Sequence, residues 1–237
     1  ERLPWLEGGY VLYTGGIEPR KNIDRLLQAY AGLPAQLRSK HQLVIVCRVQ
    51  PSERALLDTQ LRRLGVTGQV RFPGFVPDQD LLRLYQAAEL FVFPALYEGF
   101  GLPIAEAMAS GTPVIASRSS SLTELVKDEE ALFDPRETAS IRAALDRALT
   151  DEGLRDSLRS RRLEERHTWR GVARRTAEAY EELVSHGRRP VRTRPRIAVV
   201  SPLPPQRSGV ADYTYRMLTQ LRNHCDIDVL EGDQHLL

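Results

Sequence analysis

Glu98 and Glu106 flank the run Gly99-Phe-Gly101-Leu102-Pro103, the stretch of the chain best equipped for chemistry. Gly99 and Gly101 allow a tight turn and a close approach of backbone to a ligand. Pro103 suits the first turn of a helix. The free amides of such a helix start, at the positive end of its dipole, bind phosphate or another anion. Glu98 falls just before this turn and Glu106 about one turn inside the helix. A carboxylate accepts paired hydrogen bonds from neighbouring hydroxyls. Two carboxylates beside an anion cradle therefore suit a ligand with both phosphates and hydroxyls, as a nucleotide-sugar has. The plainer alternative is two acids that merely favour a helix N-terminus. The glycines and proline in a strand–turn–helix setting weigh against it.

The second constellation is Gly15-Gly16-Ile17-Glu18-Pro19-Arg20-Lys21-Asn22. Arg20 and Lys21 stand at the start of a helical pattern, where the dipole disfavours cations. That misplacement points to another role, neutralising a diphosphate at the same sheet edge through charged hydrogen bonds. Alone, the pair reads as solvated surface; beside the glutamate segment it reads as site. Weaker patterns carry less. Asp78-Gln-Asp80 and Asp226-Ile-Asp228 match a three-letter metal pattern, but Asp78 reads as a helix cap and Asp226 precedes a strand. The histidines lack metal-ligand spacing. No G-x-G-x-x-G follows the first strand and no G-x-S-x-G elbow is present.

The elements that must position these residues alternate. Apolar runs at Tyr10–Thr14, Leu43–Cys47, Val70–Phe72, Leu90–Phe93, Pro113–Ala116 and Leu132–Phe133 read as buried strands. Between them lie helical patterns at Asn22–Tyr30, Pro51–Leu64, from Asp78, Pro103–Ala109 and Leu122–Val126. This β-α repeat predicts an α/β fold, a Rossmann-like parallel sheet with helices on both faces. The open ends of such strands are where ligands bind, so both carboxylates would line the crevice. Residues 138–186 hold no strand candidate and read as a C-terminal helical segment, Thr138–Leu149, Glu152–Glu165 and Trp169–Ser185, with the Trp169 indole on the domain. The predicted organisation is a domain over 1–186, a basic linker over 187–194, and a β-α-β piece over 195–237 that is too small for a typical domain.

Lys and Arg number 33 against 31 Asp and Glu, which argues no case for nucleic acid. Two cysteines, Cys47 and Cys225, exclude a disulfide framework. No apolar run approaches a bilayer span. The arginine-rich stretch 155–175 suits a solvated face or peripheral contact with an acidic membrane. The expected location is the cytoplasm, with peripheral association at the inner face of the membrane left open.

The segment E-G-F-G-L-P-I-A-E-A-M-A-S-G-T-P-V-I resembles the E-x7-E signature of family 4 glycosyltransferases, and G-G-I-E-P-R-K-N and G-F-V-P-D-Q-D-L-L-R-L-Y are similar to its other landmarks, over about residues 8–186. The resemblance implies the C-terminal, donor-binding half of a GT-B fold, two Rossmann-like domains facing across a cleft. It implies sugar transfer from a nucleotide-sugar with retention of configuration and no metal or cofactor in the chemical step. By the same resemblance, Glu98, Arg20 and Lys21 would be catalytic: Glu98 near the reacting carbon, the two cations on the diphosphate. Gly16, Phe100, Gly101 and Leu102 would cradle the donor, Glu106 would bind the ribose, and Phe75 and Val76 would flank the base. The implied partners are a nucleotide-sugar donor (a guess of GDP-mannose), a glycan or lipid-linked acceptor, and an N-terminal acceptor domain of the same polypeptide. Without that domain the excerpt is expected to be inactive. Two departures stand out: Ile17 where many relatives carry Arg, and Cys47-Arg48 where the second strand often ends in paired glycines. The segment from Arg196 through Ser208-Gly209 is similar to the opening of the superfamily's N-terminal domain, and implies a second glycosyltransferase unit beginning there. A nucleotide-sugar epimerase, a glycan phosphorylase of the same fold, and a catalytically silent scaffold remain as alternatives.

Overall fold

Val11–Tyr13, Leu43–Ile45 and Leu90–Phe93 are fully buried along their whole length, the pattern of parallel strands covered on both faces. The computed structural model describes residues 8–186, 194–201, 203–205 and 209–230. Two compact units divide the chain, Glu1–Leu163 and Glu164–Leu237.

The first unit runs β1 (Gly9–Thr14), α1 (Ile23–Ala31), α2 (Ala35–Lys40), β2 (His41–Val46), α3 (Pro51–Leu64), β3 (Val70–Arg71), α4 (Asp78–Ala87), β4 (Leu90–Phe93), α5 (Leu102–Ala109), β5 (Val114–Ser117), α6 (Leu122–Leu125), β6 (Leu132–Phe133), α7 (Thr138–Thr150) and α8 (Glu152–Ser160). The sheet has six strands in the order β3-β2-β1-β4-β5-β6, with every pairing parallel. Chain order reverses between β1 and β4, and such a switch point opens a crevice at the carboxyl ends of the strands. Both edge strands are two residues long, which limits edge-to-edge pairing. Around the sheet, α1 packs against α7 and buries Ile23, Leu26, Leu27 and Tyr30.

Local chemistry explains several boundaries. Pro51 opens α3, and Gln50 and Glu53 close a capping box around it. Gly65 ends it at φ 70°, a left-handed stop. Asp78 opens α4 without capping it: Pro77 holds the cap position and no side-chain bond is made there. The pattern read as one helix over 152–165 stops at Ser160, and a short 3₁₀ turn follows at Glu165–His167.

The second unit contains α9 (Trp169–His186), β7 (Arg196–Val200), α10 (Gly209–Leu221) and β8 (Asp226–Leu230). β7 and β8 pair in parallel from Arg196↔Asp226 to Val200↔Leu230. Ala173 and Ala177 of α9 share a small core with Leu221 and Cys225, and Trp169 meets Tyr213 edge-on at 4.9 Å. Packing thus groups α9 with the segments that follow it, whereas the expected domain bound of 1–186 places it, and the Trp169 indole, with the first domain. Most of the expected linker at 187–194, together with Ser208, lies outside the described residues.

Candidate functional site

The loop after β1 begins the site. Gly15 donates its amide to the Val46 carbonyl at 3.1 Å, so β1 and β2 end level. A Cβ on Gly16 would fall 2.2 Å from a Glu18 carboxylate oxygen, so a side chain there forces Glu18 to move. Pro19–Lys21 then form a 3₁₀ turn, and α1 starts only after Asn22. Arg20 and Lys21 therefore sit at the C-terminal end of a short turn, where its dipole favours cations. Both cations nevertheless stand just before the Asn22 cap of α1, so the longer helix still disfavours them there.

What holds these cations is Glu98. Its Oε1 accepts from Arg20 Nη1 at 2.6 Å and lies 2.5 Å from Lys21 Nζ. The Lys21 side chain is 10% exposed and that of Glu98 13%, so both charges are largely withdrawn from water. Lys21 Nζ also stands 5.2 Å from the centroid of Phe93, the last residue of β4.

Neighbouring loops brace this triad. Asn22 adopts φ 63° and donates from Nδ2 to the carbonyls of Pro94 and Pro135 at 3.0 and 2.7 Å. Leu96 donates its amide to the Arg20 carbonyl. The Glu98 amide donates to Ser120 Oγ at 3.0 Å, and Ser121 Oγ donates to the Glu98 carbonyl at 2.8 Å. Ser120 itself sits at φ 44°. Gly101, at φ 96°, caps α5, and a Cβ there would come 2.7 Å from Leu122 Cδ2. At the start of α5 Pro103 has no N–H and the Ile104 amide donates to the Gly101 carbonyl at 2.9 Å, which leaves the Leu102 amide to meet an anion.

Glu106 lies on the exposed side of α5. Tyr85 of α4 donates its hydroxyl to Glu106 Oε2 at 2.9 Å and lies 2.6 Å from Thr14 Oγ1 at the end of β1. Burial, and next the Glu106 charge, push the Tyr85 phenol well above its usual range, so it stays a neutral donor. A side-chain chain thus runs from the end of β1 to Glu106.

The structure joins Glu98, Arg20 and Lys21 directly and ties Glu106 to the same rim through Tyr85. Gly16, Gly101 and Leu102 belong to the loops that carry them, and Leu102 is exposed. Phe100 and Val76 are half-buried and pack on the core. Phe75 is 67% exposed and lies beneath the Arg48 guanidinium, 5.3 Å from its centroid. Burial pushes the nearby Cys47 thiol up to about 11, which keeps it protonated and inert. No cluster of metal-ligating side chains occurs among the described residues. Sequence reasoning missed Asn22, Thr14, Tyr85, Ser120 and Ser121. Only Asn22 carried a signal, as a residue tolerant of left-handed backbone just before a helix.

Residues 5–164 match the Glycosyl transferases group 1 family, and the chain belongs to that family. It is 41% identical over 177 residues to the O-antigen chain mannosyltransferase B of Escherichia coli, a match covering 74% of this chain and 46% of that one. It is 37% identical over 178 residues to the serotype-specific mannosyltransferase WbdA of the same species, covering 74% of this chain and 22% of the relative. Among solved structures, sucrose-phosphate synthase from Thermosynechococcus elongatus superimposes with a TM-score of 0.68 at 30% identity, over 78% of this chain and 47% of that one. The chain thus spans less than half the length of these relatives. The six-stranded parallel sheet is the Rossmann-like half of the GT-B fold, as expected.

Proposed function

We propose that residues 8–163 are the donor-binding half of a retaining mannosyltransferase that moves the sugar of a nucleotide-sugar, GDP-mannose, to a glycan or lipid-linked acceptor. The observation that carries this reading is the Glu98 carboxylate clasped by Arg20 and Lys21 at the switch point of the sheet. On this reading Glu98 holds the two cations in place until the donor arrives. The diphosphate then takes over their charge, and Glu98 turns to the sugar hydroxyls near the reacting carbon.

As the glycosidic bond breaks, negative charge develops on the leaving diphosphate. Preorganised cations and the Leu102 amide at the start of α5 stabilise that charge. This chemistry needs no metal or further cofactor. Glu106, oriented by Tyr85, accepts from the ribose hydroxyls. Two mannosyltransferases among the relatives support the choice of sugar. An acceptor-binding domain of the same polypeptide completes the active site, so this chain alone binds donor without turnover. The parallel strand–helix–strand of β7, α10 and β8 supports a second unit of the same kind beginning near residue 195.

Calorimetric titration with GDP tests the proposal. Saturable binding is expected, weakened about tenfold or more in Glu106→Ala through loss of a charged acceptor. Equal affinity of the two proteins removes Glu106 from the site. No binding by either refutes the donor reading and favours the silent scaffold.

A further inference from the structure

Arg48 follows β2 and Phe75 follows β3, so both stand at the carboxyl rim of the sheet. The strands run β3-β2-β1-β4 across that rim. Neighbouring strands lie about 4.8 Å apart. Phe75 and Arg48 therefore occupy the first two steps, and the cations after β1 and Glu98 after β4 occupy the next two. A nucleoside diphosphate with its diphosphate on Arg20 and Lys21 would direct its base along this rim if it runs towards β2 and β3.

The pair is built unlike the other arginines around the site. Arg20 is bound to Glu98, Arg25 to Asn22 and Arg118 to Glu129. Arg48 is exposed, and among the described residues its partner is the Phe75 ring rather than a carboxylate. Contact with an aromatic face steadies a guanidinium without consuming its N–H donors. Those donors remain available to a ligand.

We propose that Arg48, steadied by Phe75 at the exits of β2 and β3, reads the base of the bound nucleotide and selects guanine. The proposal rests on the donor-binding reading and adds a residue and a base preference to it. A guanidinium fork presents two parallel donors. Guanine offers two adjacent acceptors, O6 and N7, which match that fork. Adenine pairs one acceptor with a donor at the same edge, and uracil has a single carbonyl there, so neither satisfies both N–H groups. The exposed Phe75 ring adds a stacking surface that every base can use. Selectivity is thus assigned to Arg48 and general base affinity to Phe75.

The test is calorimetry of the 237-residue chain with GDP, UDP and ADP, on wild type, Arg48→Ala, Arg48→Lys and Phe75→Ala. Both side chains are exposed, so the variants should fold, and melting curves check this. Wild type is expected to favour GDP. Arg48→Ala should weaken GDP about tenfold or more while changing UDP less than about threefold. Arg48→Lys should recover little, because lysine lacks the fork. Phe75→Ala should weaken all three nucleotides, and GDP most, because Arg48 loses its support as well. Equal losses of GDP and UDP in Arg48→Ala would make Arg48 a phosphate contact and overturn the proposal. No loss in either would overturn it too, leaving the donor site intact. Failure of every nucleotide to bind wild type would sink both readings.

Discussion

Replacing Glu98 by glutamine probes the core of the site, because one oxygen of this carboxylate balances two cations. In the wild type, Arg20 Nη1 and Lys21 Nζ approach Glu98 Oε1 to 2.6 and 2.5 Å. A hydrogen bond to a charged group is worth about 1.5–3 kcal/mol. The Arg20 side chain is 38% exposed, so solvent screens its share. Lys21 is mostly buried and its share survives, while the substituted amide keeps a neutral acceptor. A loss of about 2 kcal/mol follows. For a unit of this size that is roughly 4–8 °C in Tm. The same change leaves two uncompensated cations facing the cradle. A diphosphate no longer competes with the carboxylate for them, so GDP should bind about 5–30-fold more tightly, equivalent to ~1–2 kcal/mol. Differential scanning fluorimetry with and without GDP measures both effects on one sample. The variant should melt lower alone and gain more from ligand. Glu98→Gln that is destabilised and also binds GDP more weakly would refute the reasoning, since Glu98 would then be holding the nucleotide rather than the cations. In the complete enzyme the variant should lose turnover despite its tighter grip.

Two further predictions concern the scaffold. Gly101→Ala meets both a φ of 96° and a 2.7 Å approach to Leu122 Cδ2, and should cost about 1–3 kcal/mol, read as a lower urea midpoint and weaker GDP binding. Glu89 Oε2 lies 2.7 Å from His41 Nδ1, and this close contact holds its carboxyl below the usual range. Its contribution is present above the unfolded value near ~4.3 and is lost as pH falls through the lower folded value. Glu89→Gln should therefore flatten the stability profile in that acid window, as urea denaturation across pH will show.

Much of the first unit is legible in the residues because its signals are local. Val11–Tyr13, Leu43–Ile45 and Leu90–Phe93 are apolar on both faces, and only a covered parallel strand needs that. The Gly99–Pro103 turn declares itself through residue types that tolerate left-handed backbone or start helices. The helix read from Asn22 begins at Ile23, but the 3₁₀ turn before it is harder to see, since three residues carry no periodicity of their own. α2 escapes a reading of the sequence because six mostly polar residues carry no apolar stripe, and none of them is buried.

The arginine-rich stretch 155–175 shows the opposite limit. Its charges look like a basic face, yet Arg159, Arg161, Arg166 and Arg174 are paired with Asp156, Asp128, Glu164 and Glu165 at 2.7–2.8 Å. No helix among the described residues is long and apolar enough to cross a membrane.

Residue order alone thus determined the alternation of strands and helices, the glycine turns and the identity of the four charged side chains, because each depends on neighbours a few positions away. The tertiary structure decided which of those charges meet. Residues 78 positions apart become bonded as Arg20 and Glu98, and Thr14, Tyr85 and Glu106 are linked, only because the strand order reverses between β1 and β4. Which segments α9 packs with was likewise settled by the shape of the surfaces offered to it. An amphipathic stripe states that a helix must bury one face and is silent about against what.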